Sequence, residues 1–89
     1  MISKGQTIVY KVSESHYMFY WLCDIQDEYL VFFNWYGNPY KATSTDFWKI
    51  SNKWFNEKLE EGKLEVYDSL PLEKYGDIFE QQAVLLNNK

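Results

Sequence analysis

The chain contains no arginine; its 9 basic residues are all lysines. That removes the rigid bidentate fork best suited to guanine edges, phosphates and carboxylates. Cysteine occurs once, at Cys23, so no intramolecular disulfide can form. Histidine also occurs once, at His16, and one histidine with one cysteine excludes an ordinary zinc site. Glycine and proline are sparse. Gly5, Gly37, Gly62 and Gly76 are scattered, which leaves no phosphate-cradling loop and no linker between domains. The sequence therefore reads as one domain spanning residues 1–89. No segment approaches the roughly 18 apolar residues of a membrane span. Met1 to Gln6 lacks the apolar stretch of a secretory leader, so a cytoplasmic location, bacterial or in a host cell, is expected.

What the chain has in excess is aromatic surface. Trp, Tyr and Phe make up 20% of it, against 25% charged residues and a net charge of -4. Large rings let a short chain build a core from few residues. Tryptophan and tyrosine are also favoured at interface hot spots. The acidic balance repels phosphate at long range and disfavours duplex DNA as a partner. It suits a protein partner with a basic groove, such as a nucleic-acid-handling enzyme.

The first half reads as β structure. Thr7 to Val12 alternates, with Ile8, Tyr10 and Val12 on one side and Thr7, Val9 and Lys11 on the other. A polar break at Ser13 to His16 leads to a second strand from Tyr17 to Ile25, and Tyr29 to Tyr36 forms a third. Short connections predict an antiparallel meander. Both faces of strands two and three are apolar, whereas a sheet with one wet face should alternate cleanly. The expectation is closure into a small barrel; coverage by helices or by a partner is the alternative. Cys23 is expected to be buried as a small hydrophobe.

Gly37-Asn38-Pro39 marks a turn. Ser44 or Thr45 can then cap a helix in which Phe47, Trp48, Ile50, Trp54, Phe55 and Leu59 share one face, with Gly62 as its left-handed cap. Lys63 to Tyr67 reads as a fourth strand with Leu64 and Val66 inward. Residues 68–89 are ambiguous between a short helix starting near Asp77 and a closing strand at Ala83 to Leu86. The fold class is α+β: a small antiparallel sheet or partly open SH3-like barrel, ordered β-β-β-α-β, with one main amphipathic helix and a short C-terminal helix.

No catalytic constellation emerges, and no enzyme activity, cofactor or metal is expected. His16 sits in a turn beside Ser13 and Ser15 without an orienting acid. The carboxylates at Asp24, Asp27 and Glu28, and at Glu60 and Glu61, match no calcium loop. The function expected is binding, through Tyr17, Tyr20, Trp21, Trp35 and Tyr36 with Asp24, Asp27 and Glu28 beside them. A protein partner makes the chain a small acidic inhibitor or regulator. A single-stranded nucleic acid stacked on the aromatic strands is the second reading, with Lys4, Lys11, Lys41, Lys49 and Lys53 as a thin phosphate track. A homodimer joined through the second sheet face is the third. The Gly5-Gln6 strand start, the aromatic strands and Gly62-Lys63-Leu64 after a helix give a layout that resembles short phage-encoded or mobile-element proteins with SH3-like sheets. That resemblance assigns no functional residue.

Overall fold

The structure, a computed structural model, describes residues 2–35 and 46–87, with side chains as far as Gln82. Strands β1 (Thr7–Ser13), β2 (His16–Ile25) and β3 (Tyr29–Asn34) form the expected meander. They are followed by β4 (Phe47–Ser51), helix α1 (Asn52–Glu60), β5 (Leu64–Tyr67) and helix α2 (Leu72–Asn87). Every pairing is antiparallel and the order is β4-β3-β2-β1-β5. The result is an α+β domain built on an open five-stranded sheet. Among the described residues the strand order is linear and ends in two edges, which is the small antiparallel sheet expected, without closure into a barrel. No helix among the described residues is long and apolar enough to cross a membrane.

The main helix starts later than its apolar periodicity predicts. Ser44 and Thr45 lie outside the described residues, as does the Gly37 to Pro39 turn. Phe47–Ser51 is a strand, paired with β3 from Phe33↔Phe47 to Tyr29↔Ser51. Phe47, Trp48 and Ile50 fit a helical face, but Trp48 and Ile50 also fit one side of a strand. The edge of β3 decides between them by offering backbone partners to the whole segment. Ser51 then caps α1, its Oγ accepting from Trp54 N at 3.1 Å. Gly62 ends the helix as expected, at φ +75°. Its N–H donates to Leu59 O and that of Lys63 donates to Lys58 O, each at 3.0 Å, the Schellman pattern.

Helices, not curvature, account for the two apolar faces. On the first face Ile8, Leu22, Leu30, Phe32, Ile50 and Leu64 are buried beneath Phe55 of α1. Tyr10, Trp48 and Trp54 seal that side ring against ring, with centroids 5.0 to 6.1 Å apart. On the second face Val9 and Phe19 are buried against Tyr75 of α2. The C-terminal segment is helical through Asn87, so neither a closing strand nor a start near Asp77 is formed.

A bulge overturns one burial assignment. Pairing runs Leu22↔Phe32 and then Asp24↔Val31, leaving Cys23 as the extra residue. Cys23 is therefore exposed, not buried, and its Sγ donates to Val31 O at 3.2 Å. The bulge also moves Ile25 to the first face, opposite Leu30. A similar register shift between Lys11 and Ser13 leaves Val12 exposed.

Candidate binding surface on the second sheet face

Helix α2 crosses the strands instead of running along them. Tyr75 touches Tyr67 on β5 and both Tyr17 and Phe19 on β2. One turn later, Phe79 lies between Phe19 and Trp35. The helix thus covers one end of the second face, and the other end carries no described covering element. Its first row is Trp21, Phe33 and Phe47, directly opposite one another on β2, β3 and β4. Beyond that row come Val31 and Lys49, then Tyr29. Trp21 is 42% exposed, Phe47 45% and Tyr29 41%. Trp21 packs against Trp35 with ring centroids 4.3 Å apart, and Phe33 against Phe47 at 5.0 Å, both pairs tilted. Scattered exposed apolar residues are ordinary, but a contiguous row on a sheet face is not.

The expected binding residues separate on this scaffold. Trp21 and Trp35 come together at the boundary between the covered and open ends. Tyr17 shares their face but lies against Tyr75. Tyr20 points the other way, packed on Phe32 and Trp48, and burial raises its phenol pKa further with help from Tyr10. It belongs to the first-face packing and not to the same surface as Trp21. Tyr36 lies outside the described residues. Asp24 shares the open face with Val31 and pairs with Lys4 at 3.3 Å. Hydrogen bonds from Gln26 first, then Lys4 and the Ile25 N–H, hold its carboxyl below the usual range. Asp27 and Glu28 occupy the β2–β3 turn, and their carbonyls accept from the Asn52 side chain and backbone at 3.0 Å. With Tyr29, Ser51, Asn52 and Lys53 they line an open depression of about 350 Å³.

Phe33, Phe47 and Val31 complete the surface, and the expected site included none of them. Phe47 was hidden by its helical spacing, although alternation through Phe47–Ser51 signals a strand. Lys49 does not extend a free phosphate track: its ammonium sits over the Tyr29 ring at 4.6 Å. Two buried polar groups on this face have no hydrogen-bond partner among the described residues. Thr7 is 1% exposed and its Oγ1 has no hydrogen-bond partner; the buried Trp35 Nε1 has none either.

A second cluster fixes α2. Glu65, opposite Val9, accepts from Tyr67 Oη at 2.8 Å, from Lys74 Nζ at 3.2 Å and from the Tyr75 hydroxyl. Lys11 pairs with it at 3.3 Å. Burial pushes this carboxyl up, but the four donors, led by Tyr75, outweigh it and hold the pKa at about 2. Burial and the Glu65 charge raise the Tyr75 pKa, so its hydroxyl keeps the proton it donates. The cluster is saturated and makes a clasp, with no free lone pair placed for proton transfer.

Reactive groups are dispersed. His16 is exposed at the start of β2. Partial burial of the Cys23 thiol, with Asp24 adding to it, raises its pKa and keeps it protonated. Among the described residues no group of three or more His, Cys, Asp or Glu could hold a metal ion. No protein-family model, no curated protein and no solved structure matches the chain.

Proposed function

We propose that this chain is a non-enzymatic protein-binding module that engages its partner through the open end of the second sheet face. The observation that carries the reading is the Trp21-Phe33-Phe47 row, with Trp21 and Phe47 more than two-fifths exposed beside a buried aromatic cluster. Aromatic rings held rigid by neighbouring rings lose little side-chain freedom on binding, which is what an anchor requires. The net charge of -4 favours a partner with basic surface. A nucleic-acid-handling enzyme supplies such a surface, and occupying it makes this chain an inhibitor or regulator. Stacked nucleic acid is less well supported, because Lys4, Lys11 and Lys49 are engaged by Asp24, Glu65 and Tyr29.

The test is affinity capture from lysate with and without nuclease, comparing the wild-type chain with Trp21→Ala and Phe47→Glu. Both substituted residues are exposed, so the fold should survive, as circular dichroism can check. A protein partner that resists nuclease and is lost with both variants supports the reading. Capture unchanged by the variants, or captured nucleic acid alone, sinks it.

A further inference from the structure

Three features of the open end specify what fits it. The first is area. Trp21, Phe47 and Tyr29 are each about two-fifths exposed. At about 150–250 Å² for a whole aromatic side chain, they offer on the order of 250 Å² together. A stable interface between two folded proteins needs about 800 Å² from each partner. The open end is too small to join two copies of this chain by itself, and it suits a single secondary-structure element.

The second is geometry. Residues on one sheet face repeat about every 6.8 Å along a strand, and packed helices lie about 8–10 Å apart. A helix beside α2 therefore rests over the Trp21-Phe33-Phe47 row and Val31. An extended segment has no backbone partners on a sheet face, whereas helices cover such faces readily. The wall of α2 agrees. Lys74 reaches Glu65, and at about 100° per residue Gly76 lies on the opposite flank. With the strand order seen from this side, a right-handed helix running from β5 towards β3 turns Gly76 towards the Trp21-Phe33 row. A mid-helix glycine costs about 0.5–1 kcal/mol relative to alanine. Nothing among the described residues requires it, since a Cβ there would meet only Leu72 Cβ, at an ordinary 3.8 Å. A bare wall of this kind admits a neighbouring helix closely.

The third is charge. Asp27 and Glu28 have no salt bridge among the described residues, and Glu80 is exposed on α2. Lys49 and Lys4 are engaged by Tyr29 and Asp24, and Lys53, which lines the same depression, balances one of the two acids, so the turn with Glu80 stays net negative.

We infer that the open end docks one amphipathic helix of a partner protein, laid beside α2 and carrying lysine or arginine towards the Asp27-Glu28 turn. This rests on the protein-binding reading and names the chemistry of the partner. The test is selection of displayed peptides on the intact chain. One library holds about 16-residue sequences on a helical scaffold, another holds extended sequences, and a random single-stranded oligonucleotide pool runs in parallel. Enrichment is read against Phe47→Glu and Gly76→Leu, with Gly76→Ala as a fold-preserving control. The expected result is helical clones with apolar residues at i, i+3, i+4 and i+7 and basic residues between them. Their binding should fall at least about tenfold with Phe47→Glu and with Gly76→Leu, and change little with Gly76→Ala. Extended or acidic clones dependent on Phe47 would overturn the helix while leaving protein binding intact. So would a dimer of the free chain that protects Trp21. Enrichment of oligonucleotides alone, or of nothing, would overturn both.

Discussion

Glu65→Gln isolates the charge at the centre of the α2 clasp. The amide keeps the shape of the carboxyl and can still accept from Tyr67 and Tyr75, but it loses the attraction of Lys11 and Lys74. Among the described side chains of α2 only Tyr75 is fully buried, while Ile78 and Phe79 are half-buried. The clasp therefore carries a large share of what seats this helix. Holding a carboxyl from 4.5 down to about 2 corresponds to roughly 3 kcal/mol of preference for the charged form. The lysines stand at the surface, and solvent screening leaves about 1 kcal/mol of that as folding stability. A carboxyl with a depressed native pKa stabilises fully above its ordinary value, and the contribution is lost as pH falls towards the native one. Urea denaturation of both chains from about pH 7 to about pH 2.5 is the assay. The variant should be about 1 kcal/mol less stable near neutrality. The gap should hold down to about pH 4.5 and nearly close by about pH 2.5. No gap at neutral pH, or a gap of constant size across the acid range, would refute the clasp.

Thr7→Val should raise stability by about 1 kcal/mol, because it removes a buried hydroxyl without a partner and keeps the branched shape; a loss in thermal denaturation would reveal a missed acceptor. Phe32→Ala should cost about 3–5 kcal/mol and leave little folded protein by near-UV circular dichroism, whereas Trp21→Ala should cost less than about 1 kcal/mol. Equal losses would mean that Trp21 is core. Gly62→Ala should cost about 1 kcal/mol although a Cβ there meets nothing within 4 Å, since the penalty lies in the positive φ. An unchanged urea midpoint would show that the cap rearranges freely.

Much of the sheet was legible because β-branched and aromatic residues cluster between short polar breaks. Strands β1 to β3, the Gly62 cap and the inward Leu64 and Val66 all follow from local pattern. The errors occur where two periods coincide or where a register changes. Phe47, Trp48 and Ile50 satisfy a helical stripe, and only the waiting edge of β3 makes them a strand. Cys23 alternates correctly with Trp21 until a bulge removes it from the count, and nothing in its neighbours announces that bulge. Of the candidate site, Trp21, Trp35 and Asp24 could be read from the strands. Phe33 and Phe47 become a surface only when the strand order sets them beside Trp21. The clasp was invisible because its members, from Lys11 to Tyr75, are brought together by β1–β5 pairing and by the docking of α2.

The clasp and the open surface are consequences of one placement. A sheet of five strands is about 24 Å wide, and a helix about 10–12 Å across cannot cover all of its face. Where α2 lies decides which residues remain bare. Glu65 sits on an edge strand and holds the first turns of α2 there, through Lys74 and Tyr75. From that anchor the helix passes over Val9 and Phe19 towards Trp35, and the Trp21-Phe33-Phe47 row falls outside its reach. The first face differs because α1 is followed by β5, which returns to the sheet beside β1, and because Tyr10, Trp48 and Trp54 fill the remaining width. One face is thus closed by rings from its own chain, and at one end of the other no described element covers the strands beyond a helix clasped at the edge. Loosening the clasp should therefore free α2 to shift on the apolar face. Partner binding at Trp21 then becomes sensitive to Glu65, a residue on the same face but two strands away, at the sheet edge, that the partner need never touch.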